Sequence, residues 1–480
     1  MRVLHVAAEL YPLVKTGGLA DVLGALPGAL AGLGVETRVL VPGYPAVMRA
    51  LEGAVPVARE GDLFGGGARL LAGRAAGVPV PLYVLDCPSL FDRPGNPYLD
   101  ADGRDWPDNH RRFGSLSWFA ARLGQGADPA WRPHVVHAHD WQAGLAPAYL
   151  ELAGGERPGT VLTVHNLAYQ GLFPRETLVE LRLPPWAFTY DRLEFHGKLG
   201  FLKGGLAYAD RISTVSRTYA REIQGAEQGC GLDQLLRHRA GDLVGIVNGI
   251  DTGVWDPSTD PHLPAPYDAA APGPKALSKA ALQKAFGLEA VPEAPVFGVV
   301  SRLNVHKGLD LALAALPGLL RKGGQFVLLG NGDADLERGF AAVAGRHPRE
   351  VGVRIGYDEA LSHLIQGGSD VILVPSRSEP CGLTQLYALR YGALPLVRRA
   401  GGLADTVVDA TAAAQRRGTA TGFVFDAASP RALAAAIGRA CRLYADRAAW
   451  AKVRKTAMTR DFGWPAAARE YLALYEGLLG

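Results

Sequence analysis

The sequence predicts an α/β chain folded as two parallel-sheet domains. Short apolar runs alternate with longer helical patterns, the signature of parallel strands joined by covering helices. The alternation breaks in a proline-rich stretch at residues 256–274 and then resumes. The five residues Gly-Gly-Leu-Ala-Asp occur twice, at 17–21 and 401–405, each time between an apolar run and a helical pattern. A chain of 480 residues is also longer than one core ordinarily supports.

In the first half, residues 3–8, 37–41, 81–85, 135–139, 161–165 and 211–215 read as buried strands of a parallel sheet. Helical patterns cover 22–33, 109–123 and 144–152. In the second half, 296–301, 325–329, 351–355, 371–374, 394–397 and 422–425 read as strands, with helices at 309–320, 382–391 and 430–444. An amphipathic helix at 464–479 ends the chain. The expected domains are 1–245 and 246–460, with 461–480 a terminal helix packing back on the first domain.

A hydrophobic content of 48% with 20% charged residues describes a globular chain. A net charge of +3, with no basic run, argues against nucleic acid and anionic membrane as partners. The 4 cysteines lie far apart and form no CxxC, so neither a disulfide framework nor a cysteine metal cluster is expected. No signal-peptide pattern and no bilayer-length apolar run is present, so a cytoplasmic location is expected.

Ligands of open α/β sheets bind at the carboxyl ends of the strands, so the chemistry is sought in the loops there. Lys15-Thr16-Gly17-Gly18 follows the first strand; it reads either as an anion-holding turn or as a plain strand-to-helix connection. His137-Ala138-His139-Asp140-Trp141 closes a strand; no further cluster with ligand spacing accompanies it, so no metal is expected. His165-Asn166 ends another strand, where a histidine can donate a hydrogen bond or move a proton, or simply serve packing. Arg302 and Lys307 share one loop before a helix, a pair of cations suited to a diphosphate, particularly a departing one. Gly330-Asn331-Gly332 lacks the third glycine of a dinucleotide fingerprint, and Asp333-Ala334-Asp335 reads as a helix start. Glu379-Pro380-Cys381-Gly382-Leu383-Thr384 places a carboxylate beside a helix N-terminus, where it can accept from sugar hydroxyls while the following N–H groups face an anion.

Taken together, these segments resemble the bacterial glycogen synthases, starch-synthase-type glycosyltransferases of the GT-B architecture. The match runs through Lys15-Thr16-Gly17-Gly18-Leu19, His137–Trp141, Val164–Gly171, Asn248-Gly249-Ile250-Asp251, Ser301-Arg302-Leu303, Lys307–Asp310, Glu379–Gln385 and Gly401–Thr406. The resemblance implies two Rossmann-like domains facing across a cleft. It implies transfer of glucose from ADP-glucose to the non-reducing end of an α-1,4-glucan with retention of configuration, without cofactor or metal. The alternatives are a related GT-B transferase using UDP-glucose or another acceptor, and a glucan-binding protein without catalysis.

By the same resemblance, His165, Arg302, Lys307 and Glu379 form the catalytic set. Lys15, Gly18, Asn248, Tyr357, Cys381, Gly382, Leu383 and Thr384 bind the donor, and Glu9, Tyr98 and Asp140 bind the acceptor. The chain departs from related transferases at Tyr387, where a second glutamate is found eight positions after the first. His306 stands where glutamine is common, and Ser378 where an aromatic is common.

Overall fold

The computed structural model describes residues 1–480, which divide into two compact units. The first comprises Met1–Gly249 and Trp464–Gly480, the second Ile250–Gly463.

The first unit is built on β1 (Arg2–Val6), β2 (Glu36–Pro42), β3 (Leu51–Glu60), β4 (Ala68–Ala75), β5 (Leu82–Asp86), β6 (Val135–His139) and β7 (Gly159–Val164). A small antiparallel sheet follows, of β8 (Leu172–Pro174), β9 (Glu194–Phe195) and β10 (Lys198–Gly200). β11 (Arg211–Thr214) and β12 (Leu243–Gly245) return to the main sheet, whose order is β12-β11-β7-β6-β1-β2-β5-β4-β3. From β12 to β5 every pairing is parallel. The central strands β1, β6 and β7 are buried almost throughout because both sheet faces are covered by helices.

One expectation is corrected here. The first sheet is not wholly parallel, because β4 pairs antiparallel with β5, and β3 antiparallel with β4. β3 is the edge strand. It is mostly solvent-exposed, carries Gly53 and Pro56 and departs from regular register twice, so it shows no apolar periodicity to read.

The helix Trp464–Leu479 belongs to the first unit, where it packs on the helix Gly18–Ala31. Its buried face, with Ala468, Tyr471 and Tyr475, joins the first core.

The second unit holds one sheet of β13 (Val296–Val300), β14 (Gln325–Gly330), β15 (Val351–Ile355), β16 (Val371–Val374), β17 (Leu394–Arg398) and β18 (Phe423–Phe425), all parallel. Its order, β15-β14-β13-β16-β17-β18, is the doubly wound 3-2-1-4-5-6. Asp333 caps the helix Ala334–Arg346, accepting from the N–H of Asp335, as its helix-start reading requires. Residues 256–274 form turns without helix or strand.

Candidate active site

A doubly wound sheet has one crevice where the strand order reverses, and ligands bind there beyond the carboxyl ends of the strands. In the second unit the reversal lies between β13 and β16, and the loops after those two strands carry Arg302, Lys307 and Glu379. The Lys307 ammonium is 2.8 and 2.6 Å from the two oxygens of Glu379, and the Ser376 hydroxyl donates to the same carboxylate at 2.9 Å. Ser301, Lys307, Pro375, Glu379 and Thr384 line a small cavity at this point. A separate cavity of about 540 Å³, beside Asp256, Arg390 and Phe462, contains none of the sequence-predicted site residues.

Both loops are built to hold that pair still. Arg377 forms a two-pronged ion pair with Asp310 at 2.6 and 2.7 Å and donates to the carbonyl of Val305 at 2.6 Å. The N–H of Arg377 donates to the carbonyl of His306. Gly308 sits at φ +68°, where a Cβ would stand 2.1 Å from the Pro375 carbonyl oxygen. Gly401 (φ +42°) and Gly402 press equally close to the Glu379 and Cys381 carbonyl oxygens, at 2.0 and 2.1 Å from a notional Cβ. The second Gly-Gly-Leu-Ala-Asp is therefore a backbone support for the Glu379 loop, and only glycine fits it.

The helix Thr384–Tyr391 starts without a side-chain cap, and the N–H groups of Leu383 and Thr384 donate to no backbone acceptor. Gly382 turns at φ +73°, and Cys381 is buried beside it. Arg302 is exposed, without a protein acceptor. Tyr357, after β15, is 73% exposed. Tyr387 is taken up in packing. Its ring stacks at 3.8 Å on Trp255, which stacks at 3.8 Å on His363, so the position of the second glutamate is filled by an aromatic stack.

In the first unit the reversal lies between β1 and β6. Glu9 follows β1, and its carboxylate accepts from the Thr16 N–H and hydroxyl (both 2.6 Å), the Gly17 N–H (3.2 Å) and the Tyr98 hydroxyl (2.5 Å). Glu9 and Tyr98 thus hold the Lys15–Gly18 loop in shape. Lys15 pairs with Asp21 at 2.8 Å, and Gly18 is exposed at the start of its helix. Gly17 (φ −160°) meets no atom within 4 Å of a notional Cβ, unlike its counterpart Gly401.

Asp140 follows β6 at φ +55° and accepts the His165 N–H at 2.7 Å. Burial pushes its carboxyl up to about 7, against the lowering effect of the N–H groups of His165 and Asn166. Asn248 is buried, and its Oδ1 is without a partner.

The sheet also brings together what the sequence left apart. β1 and β6 pair with His5 opposite His137, so a third imidazole joins His137 and His139. His5 sits in an apolar run, and only the strand register reveals its neighbours. His137 is engaged at both ring nitrogens, by Tyr475 at 2.7 Å and Thr163 at 2.6 Å. His139 lies between His5 at 3.2 Å and His165 at 3.0 Å. A metal ion would have to displace these hydrogen bonds, so the cluster is a poor fit for one. Burial pulls His5 and His165 down to about 3 and His137 and His139 well below the ordinary range, which keeps all four rings neutral.

The family model for the starch synthase catalytic domain matches residues 2–238, and that for group 1 glycosyl transferases matches residues 283–456. A glycogen synthase of Rhodopseudomonas palustris is 54% identical over 476 residues, covering 99% of this chain and 97% of its own. Another, of Roseobacter denitrificans, is 54% identical over the full length of both chains. Among solved structures, the catalytic domain of starch synthase IV from Arabidopsis thaliana, bound to ADP and acarbose, superimposes with a TM-score of 0.88 at 33% identity, covering 100% of this chain and 99% of its own. A sucrose-phosphate synthase of Thermosynechococcus elongatus shares the fold at 17% identity and a TM-score of 0.59. With its two doubly wound sheets and its end-to-end identity to these enzymes, the chain belongs to the glycogen synthase family of GT-B glycosyltransferases.

Proposed function

We propose that the protein is a retaining glucosyltransferase that moves glucose from ADP-glucose onto the non-reducing end of an α-1,4-glucan. The observation that carries this reading is the Lys307–Glu379 pair at the strand-order reversal of the second sheet, with Arg302 exposed in the same loop. A fixed cation and a fixed carboxylate side by side suit a ligand that is anionic at one end and hydroxylated at the other.

In this reading Arg302 and Lys307 neutralise the diphosphate as the bond from C1 to its oxygen breaks. Glu379 and the free N–H groups of Leu383 and Thr384 hold the glucose hydroxyls, and Tyr357 lies against the adenine. His165 donates to the sugar, Asp140, Glu9 and Tyr98 serve the acceptor side, and Glu9 also shapes the Lys15–Gly18 loop that reaches the donor. With Tyr387 in place of the second glutamate, no residue stands out as a carboxylate nucleophile. The acceptor hydroxyl therefore adds to C1 from the face the diphosphate leaves, and its proton passes to the departing phosphate oxygen. No metal or other cofactor takes part in these steps.

The test is glucosyl transfer to glycogen with ADP-glucose against UDP-glucose. Preferential turnover of ADP-glucose with release of ADP is expected. Turnover of UDP-glucose alone would overturn the donor assignment, and binding of glucan without transfer from either donor would leave a glucan-binding protein.

A further inference from the structure

The geometry points to a positioning role for His139, backed by His5. These two buried rings fix His165 as the tautomer with hydrogen on Nδ1, so that it meets the substrate as a hydrogen-bond donor and not as a base. The inference rests on the proposed glucosyl transfer only in placing His165 at the substrate.

Three imidazoles from three adjacent parallel strands or their ends form one hydrogen-bonded row. His5 Nδ1 is 3.2 Å from His139 Nε2, and His139 Nδ1 is 3.0 Å from His165 Nε2. A neutral imidazole has one N–H and one lone pair, so the row runs in one of two directions. If His165 donates inward, the hydrogens fall on its Nε2, on His139 Nε2 and on His5 Nε2. The last of these has no partner and is fully buried, as is the whole of His5. If the row runs outward, His5 Nδ1–H donates to His139 Nε2 and His139 Nδ1–H donates to His165 Nε2. Only a bare lone pair is then left at His5. Orphaned buried N–H groups are rarer and costlier than under-used acceptors, so the outward direction is preferred.

The surroundings hold the rings to that role. The His139 ring stacks on His137, with centroids 4.1 Å apart. His137 is itself pinned by Tyr475 on the terminal helix and by Thr163 on β7. The main chain of His165 is held separately, through its N–H to Asp140. Asp140 accepts from the main-chain N–H groups of His165 and Asn166 and not from a ring nitrogen of the row. Both degrees of freedom of His165, ring orientation and tautomer, are thus set from behind. Its remaining nitrogen, Nδ1, carries the hydrogen and suits a sugar oxygen.

The experiment is ring-¹⁵N histidine spectroscopy of the full-length protein near pH 7.5, without substrate, with the His165 pair assigned by its loss in His165→Gln. A protonated Nδ1 and a bare Nε2 are expected. The opposite pattern overturns the proposal. In His139→Phe, which keeps the stacked ring without its N–H, the donor that fixes the His165 tautomer is lost, so the Nε2–H form that a free histidine side chain favours should become populated. kcat should fall roughly tenfold, the loss of about one hydrogen bond, with KM for the sugar nucleotide changed less than about threefold. His139→Gln, which can still donate, should recover much of kcat and the Nδ1–H form. An unchanged His165 tautomer in His139→Phe, or equal losses in Phe and Gln, would refute the positioning role. Should His139→Phe not fold, the wild-type and His139→Gln spectra decide alone. The expected tautomer without any transfer activity would sink the glucosyltransferase reading and leave the row intact; transfer with the wrong tautomer would do the reverse.

Discussion

Replacing Glu379 with Gln tests the charge pair after β16 without changing its shape. The Lys307 ammonium lies 2.8 and 2.6 Å from the two carboxylate oxygens, and the side chains are 28% and 9% exposed. At an effective dielectric near 20, opposite charges this close attract by about 4 kcal/mol or somewhat more, most of which is offset by desolvation. Gln retains one acceptor for Lys307 or Ser376, so the expected loss of stability is about 1–2 kcal/mol. On the proposed function activity should fall further, because a single amide oxygen cannot both hold Lys307 and accept from two sugar hydroxyls. A fall of ~10²–10³ in kcat is the usual result of removing one such contact. The assay is initial-rate release of ADP from ADP-glucose with glycogen, for Glu379→Gln, Lys307→Ala and the double variant. If the pair acts as a unit, the double variant loses much less than the product of the two single losses. Less than about a tenfold loss in each single variant, or strict multiplicativity, would refute the reasoning.

Gly401→Ala places a Cβ 2.0 Å from the Glu379 carbonyl at φ +42° and should cost roughly 1–3 kcal/mol in thermal unfolding, whereas Gly17→Ala, at φ −160° with open space, should stay within about 0.5 kcal/mol. Glu9→Gln weakens a charge-assisted bond to the Thr16 and Gly17 amides, so their hydrogen exchange should speed up by roughly 10–100-fold while the fold persists. His363 supplies a pH dependence. Burial alone would lower its pKa, but hydrogen bonds to Asp260 and Glu359 raise it to about 9. A raised folded-state pKa means the stabilisation, about 3 kcal/mol for a shift from 6.5, is complete below pH 6.5 and is lost as pH climbs through 9. Urea unfolding followed through Trp255, which stacks on His363, should show a wild-type advantage over His363→Gln that shrinks across that window; a constant difference would refute it.

The strands bearing the candidate site were legible in the sequence, since each is a short, mainly apolar run ended by an abrupt polar cluster. Val371–Val374 followed by Ser376 and Glu379 is such a case, and so is Val135–His139 followed by Asp140. The edge strand Leu51–Glu60 was not, because an exposed strand buries too little to carry a pattern. The two copies of Gly-Gly-Leu-Ala-Asp look alike as text. Only packing separates them, the second pressed against the Glu379 and Cys381 backbone, the first opening into free space at Gly17.

By itself the sequence determined the α/β class, the loops that carry Lys15, His165, Lys307 and Glu379, and, through their shared order, the family. Periodicity and composition act locally, and these features are local. The partners of the charged and polar groups were decided by tertiary structure alone. Lys307 meets Glu379 across 72 residues, and His5 meets His139 across 134. Such pairs exist because parallel strand order and register bring distant strand ends side by side, and neither order nor register is written in any one strand.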